Sequence, residues 1–387
     1  MESSRIIAII ELIGKSTYWI IERKEGDMKT VFYKIIKSIH IYSFSHFVID
    51  FACAYIVFHT LSLDRMWWFS ILIYNFCAFA LQMPIGLLAD KLNRNVTITL
   101  LGFAFVIASY IPQLPFLLLA IFAGLGNALF HIGGGIEVMN ASKGKASTLG
   151  IFVSPGAFGI YFGGMLGREK GIPTFWIIGA LCILFLMLLL HNTLRRNTFV
   201  TENAPVNLQF VLSDDQGKEG KNKKQFYKGL LLMTGLMVVV GLRSYMGVAL
   251  TFSWKSTSVF SILLICGVVF GKALGGILSD FLGRKNTIFI SLLLAAFCFP
   301  MAQHPFFGII ALFLFNMTMP ITLHIISQIM PNAKGFAFGI LTFSLFLGYL
   351  PYYLNKIQIT NFGIASVITV VSLLILICYC KGEEHVS

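Results

Sequence analysis

His46 and Asp50 stand four residues apart in the middle of an otherwise apolar run, and in a helix that spacing puts both side chains on one face. A carboxylate with an imidazole beside it can take up a proton and release it. Arg243 and Lys272 lie inside two later apolar runs, and His131 and His324 inside two more. An ionisable group near a bilayer centre costs roughly 2.5–3.5 kcal/mol on insertion scales, so it faces a cavity and serves function. Asp50 and His46 are therefore the expected proton-coupling pair. Arg243, Lys272, His131 and His324 are the expected substrate-binding residues, with the Arg243 guanidinium suited to grip a carboxylate or phosphonate through two parallel hydrogen bonds. Asp50 supplies one negative charge against the two positive charges of Arg243 and Lys272, and an anionic ligand would supply the missing one.

These residues need membrane-spanning helices to hold them, and the composition predicts such helices. The chain has 387 residues, of which 57% are hydrophobic and only 12% charged, with a mean hydropathy of +0.81. A soluble domain is about 25% charged. The net charge of +12 does not signal nucleic acid, because the basic residues sit in short gaps between long apolar runs. Runs of about 17–25 apolar residues each read as one crossing. The expected spans are 37–61, 66–90, 96–113, 114–140, 147–168, 172–194, 229–254, 257–281, 287–303, 304–330, 335–354 and 362–380. The expected fold is thus an all-α integral membrane protein, with twelve transmembrane helices in two pseudosymmetric six-helix bundles. Residues 1–34 read as a cytoplasmic or interfacial segment, 35–194 as the first bundle, 195–228 as a cytoplasmic linker, 229–380 as the second bundle and 381–387 as a tail. Lys and Arg collect on the side of the linker and both termini, which the positive-inside rule makes cytoplasmic.

Other chemistries find little support. The seven cysteines lie in apolar runs with no CxxC, so neither a disulfide nor a metal is expected, and no cofactor. Gly267–Lys272 has one residue too few for a phosphate loop, and Ala273 stands where Ser or Thr is needed. No cluster of acids or histidines marks a membrane-interface active site, so the chain is not expected to be an enzyme. Gly156, Gly159, Gly163, Gly164 and Gly167 would let the fifth helix approach a neighbour closely.

Two segments repeat. GLLADKLNRN from Gly86 resembles GGILSDFLGRKN from Gly275, and MNASKG from Met139 resembles MPNAKG from Met330. Both pairs are offset by about 190 residues, the length of one half. Under that repeat Asp50 and Arg243 are nearly equivalent, which predicts that they face each other across a central cavity and pair when Asp50 is ionised. Glycine, three residues, Asp and then a basic cluster, occurring after the second and eighth spans, resembles the signature loop of the major facilitator superfamily. The resemblance implies a secondary transporter working by alternating access. It implies that Asp90 with Arg94, and Asp280 with Arg284, gate it against a helix of the other half. The first copy carries Lys91 and Asn93 where arginine and glycine are usual. Within that superfamily SHFVID at Ser45–Asp50, GLGNALFH at Gly124–His131 and PITLHIISQIMPNAKGFAFG at Pro320–Gly339 resemble the fosmidomycin-resistance efflux proteins. In those proteins Phe-His is commonly followed by proline and an acid; here Ile132 and Gly133 follow His131. The resemblance implies proton-coupled efflux of a small organic molecule or drug, with proton-coupled import of a metabolite as the alternative. The expected partners are that substrate, protons and the lipid bilayer of the cell membrane; the sequence does not fix the oligomeric state, and a monomer is expected.

Overall fold

The computed structural model describes residues 39–169, 171–196, 222–256, 258–355 and 357–381. The expected N-terminal segment, most of the linker and the tail after Lys381 lie outside the described residues. Among the described residues twelve helices follow one another: α1 (Ile39–Leu63), α2 (Trp67–Leu92), α3 (Asn95–Ala108), α4 (Phe116–Ala141), α5 (Ala146–Arg168), α6 (Thr174–Arg196), α7 (Asn222–Ala249), α8 (Ser258–Leu282), α9 (Arg284–Met301), α10 (Pro305–Ile329), α11 (Lys334–Asn355) and α12 (Phe362–Lys381). Eleven of them are long and apolar enough to cross a membrane. The exception, α3, has 14 residues where a longer span was expected. At 1.5 Å per residue it rises about 21 Å, less than the roughly 30 Å hydrocarbon core. It stops because the chain turns through Pro112 and Gln113, whose φ is 59°, and Pro115 follows.

The surface is apolar, as a lipid-facing surface must be. Trp68, Trp176, Leu231 and Phe281 are all exposed. In water a patch of this extent would not stay bare. The polar groups turn inward instead: Asp50, His46, Asn127, Arg243 and His324 are buried.

The first six helices meet the last six along two seams, α2 against α11 and α5 against α8. Backbone contact makes these seams tight. A Cβ on Gly86 would overlap the Gly335 carbonyl, and one on Gly276 would overlap the Ala146 carbonyl. The repeat read from sequence reappears in the backbone. Asn93 has φ 49° and Gly283, 190 residues later, has φ 83°. Both have positive φ, but Gly283, with ψ 151°, takes a conformation open essentially to glycine, whereas Asn93, with ψ 41°, ends its helix in the left-handed region that asparagine tolerates best among the other residues. That is the physical reason Asn93 can replace the usual glycine.

Candidate functional site

The signature-loop aspartates lie near the C-terminal ends of α2 and α8, on the two seams. Asp90, at the end of α2, accepts hydrogen bonds from the backbone N–H groups of Gly335 and Phe336, both at 2.8 Å. Asp280, at the end of α8, accepts from those of Ala146 at 2.8 Å and Ser147 at 3.0 Å. Each carboxylate thus closes the first turn of a helix in the other half, where four N–H groups have no intrahelical partner and the dipole favours an anion. Lys334 adds to the first clamp only. Its Nζ donates to Asn140 Oδ1 at 2.8 Å and lies within electrostatic reach of Asp90.

The two arginines expected beside these aspartates behave differently. Arg94 is exposed and is not brought to Asp90 by any hydrogen bond or ion pair among the described residues. Arg284 donates to Gln328 Oε1 of α10. The clamps are made by backbone N–H groups, which a reading of side-chain types does not find. His324, expected to bind substrate, sits beside Gln328 at 3.3 Å and within electrostatic reach of Arg284 and Asp280. The structure therefore places it near the second clamp.

Midway along α1 the second cluster forms. His46 Nε2 is 3.2 Å from Asp50 Oδ2, as their i, i+4 spacing requires. His131 of α4 joins them: its Nε2 lies 2.9 Å from His46 Nε2 and 3.7 Å from Asp50 Oδ1. Asn127, one turn before His131, donates from Nδ2 to Asp50 Oδ1 at 2.9 Å. The Nδ1 of His46 meets the Phe152 carbonyl of α5, and the Nδ1 of His131 meets the Asn127 carbonyl, each at 2.8 Å. Helix α5 comes this close because Gly156 has no Cβ; a methyl there would collide with His46 Nε2 and Asp50 Oδ2. Sequence alone assigned His131 to the substrate and passed over Asn127. Its signal was present, an amide four residues before His131 inside the GLGNALFH segment.

The third cluster belongs to the other half. Arg243 of α7 donates from Nη2 to Thr318 Oγ1 at 2.7 Å and from Nη1 to Thr322 Oγ1 at 3.4 Å, both on α10. Both hydroxyl protons are already committed, to the Phe315 and Met319 carbonyls, so the threonine oxygens can only accept here. The Arg243 Nε finds no partner. Helix α10 is interrupted at Met317. Pro320 carries no N–H to continue the ladder through that turn, which loosens the helix beside the guanidinium. Lys272 of α8 lies within electrostatic reach of both Asp50 and Arg243. Among the described residues neither cation has a carboxylate within ion-pair distance, and the expected Asp50–Arg243 pair is not formed. Each of the two groups instead makes its hydrogen bonds within its own half.

A family model described as the Major Facilitator Superfamily matches residues 38–351. No curated protein matches the sequence. Among solved structures the chain is similar to the fucose:proton symporter of Escherichia coli, at 14% identity and a TM-score of 0.58, covering 88% of this chain and 98% of that one. It is similar also to a human organic anion transporter, at 14% identity and a TM-score of 0.59, covering 89% of this chain and 99% of that one. At these identities the likeness is one of fold.

Proposed function

Since the chain belongs to the Major Facilitator Superfamily, and is thus a multi-pass membrane transporter and not an enzyme, we propose that it couples the movement of protons to that of a small organic anion. In this reading the linker side faces the cytoplasm of a cell membrane. The observation that carries the proposal is the division of charge between the halves. The first half holds the buried Asp50 and His46 with the half-buried His131, and the second holds the buried Arg243 and the half-buried Lys272, neither with a carboxylate at ion-pair distance among the described residues. Uncompensated charge in a low-dielectric interior is unfavourable, so Arg243 and Lys272 favour an anionic guest. Arg243, held at two nitrogens by threonines and with Nε unused, keeps a donor for a carboxylate, phosphonate or sulfonate.

The resemblance to efflux proteins favours outward movement, as a drug or metabolite exporter that exchanges its cargo for protons. In that mode proton and substrate must exclude each other. The charge balance favours a second reading, import by co-transport. Protonating the acid cluster removes the negative charge of Asp50 that acts on Lys272, so it strengthens the hold of Lys272 and Arg243 on an anion, and binding is reciprocal. One assay separates the two. Proteoliposomes holding the full chain are loaded with organic anions and given an imposed pH gradient. Co-transport accumulates the anion on the alkaline side, and exchange drives it to the acidic side. A flux that follows neither gradient, or one restricted to uncharged compounds, would end the proposal. Arg243→Ala should weaken anion binding by about ten- to a hundredfold, the range for a lost hydrogen bond to a charged group.

A further inference from the structure

Two ring nitrogens face each other at hydrogen-bond distance in the acid cluster, and the positions of the other two nitrogens fix what they can be. A backbone carbonyl can only accept. The Nδ1 atoms of His46 and His131 each face one at 2.8 Å, at Phe152 and Asn127, so both carry their hydrogen there. In a neutral imidazole the other nitrogen is then a bare lone pair. Two such lone pairs would stand 2.9 Å apart, with a carboxylate oxygen 3.2 Å from one of them. Three acceptors cannot share this space without a cation among them.

A proton and a metal ion are the two candidates, and the spacing of the nitrogens matches the proton. Ligand nitrogens about 2.05 Å from a tetrahedral zinc stand roughly 3.3 Å apart. At 2.9 Å the two nitrogens have the separation of an N–H···N hydrogen bond. Resting on the proton-coupled reading above, we propose that His46 and His131 share one proton through their Nε2 atoms, with Asp50 as its counter-ion and Asn127 as the residue that positions the carboxylate. The proton sits on His46 Nε2, the nitrogen nearer Asp50, and is donated to His131 Nε2. Asn127 holds Oδ1, which leaves Oδ2 turned toward His46. The other ionisable groups facing the cluster are Cys53 on α1, Tyr74 on α2 and Lys272 on α8, with Arg243 of α7 behind Lys272. Helix α5 brings the Phe152 carbonyl and ring and the bare faces of Gly156 and Gly159 to the cluster. Loaded, the cluster is neutral in sum; unloaded, it carries one negative charge facing Lys272. The unit that titrates is therefore three side chains on two helices, and it exchanges one proton in all.

The test uses the full chain, labelled with ¹⁵N at histidine and reconstituted in lipid, with solid-state NMR followed from about pH 5 to about pH 9. The expected result is one Nε2 proton shared by His46 and His131 and lost from both in a single step, while both Nδ1 atoms stay protonated throughout. This reading of the parent needs no variant. In a second arm, His131→Ala lowers the proton affinity of His46 by at least about tenfold. His131→Gln, whose amide oxygen can accept in place of Nε2, restores part of it. Two separate one-proton titrations, each indifferent to replacement of the other ring, would overturn the proposal; so would loss of either Nδ1 proton. Failure of the transport reading looks different, because the histidines would then titrate as one unit while no pH gradient drives flux.

Discussion

The two halves derive from one repeat and use it for different chemistry. In the first, α1 and α4 bring together His46, Asp50, Asn127 and His131, a group that can gain or lose charge. In the second, α7 and α10 bring together Arg243, Thr318 and Thr322, a group with a fixed cation and neutral oxygens. An arginine keeps its proton in a protein. In the proposed mechanism this is a division of labour: the half proposed to change its charge carries histidine and carboxylate, and the half proposed to hold an anion carries guanidinium. The clamps divide too. Asp90 is partly buried with Lys334 nearby, whereas Asp280 is exposed and closes on α5, the helix that also offers Phe152 to His46.

The largest effect should come from Asp50→Asn. It removes the counter-ion of the shared proton, so gradient-driven transport should fall at least about a hundredfold, in the range of lost proton-transfer groups. Gradient-independent exchange of labelled substrate across the same vesicles should survive. If exchange disappears as well, Asp50 is needed by the substrate, and the halves are not divided as drawn here.

Arg243→Lys is the next step down. It keeps the charge and loses the planar fork, so substrate affinity should drop by about tenfold with the proton step of the histidines unmoved. A shift in that proton step would show that Arg243 belongs to the acid cluster.

The clamps provide a sharper comparison. Asp280→Asn should change the proton affinity of His46 by about three- to tenfold, because α5 carries both contacts, while Asp90→Asn should leave it alone. Both substitutions should slow cycling between the two open states, read as the rate of labelled-substrate exchange. Equal effects of the two on the proton step would mean that α5 does not connect clamp and cluster.

The smallest effect is expected outside the membrane. Asp64 lies before α2, where the Ser70 hydroxyl and the Met66 N–H hold its carboxyl below the usual carboxylate range. Its depressed value means that its contribution is present at neutral pH and lost as the pH falls through the folded value. The group lies in a loop and its partners Ser70 and Met66 are neutral, so Asp64→Asn should leave transport at the parental rate. A marked loss would place a functional element in this loop, away from both clusters.

The sequence by itself determined the order of the helices, the repeat, and which ionisable residues lie within apolar runs. Hydrophobic runs of fixed length and charges stranded inside them are local properties, and they survive without any knowledge of packing. His46 with Asp50 was legible for the same reason, since four residues on a helix is a distance the chain alone sets. The tertiary structure decided everything that depends on which helices touch. It drew His131 from the expected substrate site to Asp50, brought Asn127 in beside it, and kept Arg243 on Thr318 and Thr322 instead of on Asp50. It showed that the signature aspartates bind backbone N–H groups of the opposite half, while Arg94 stands aside. Contacts between helices 80 or 240 residues apart leave no periodic mark in one sequence. Backbone donors and ring tautomers leave none at all, because every residue type carries the same N–H and a histidine's proton is placed only by the neighbour that it faces.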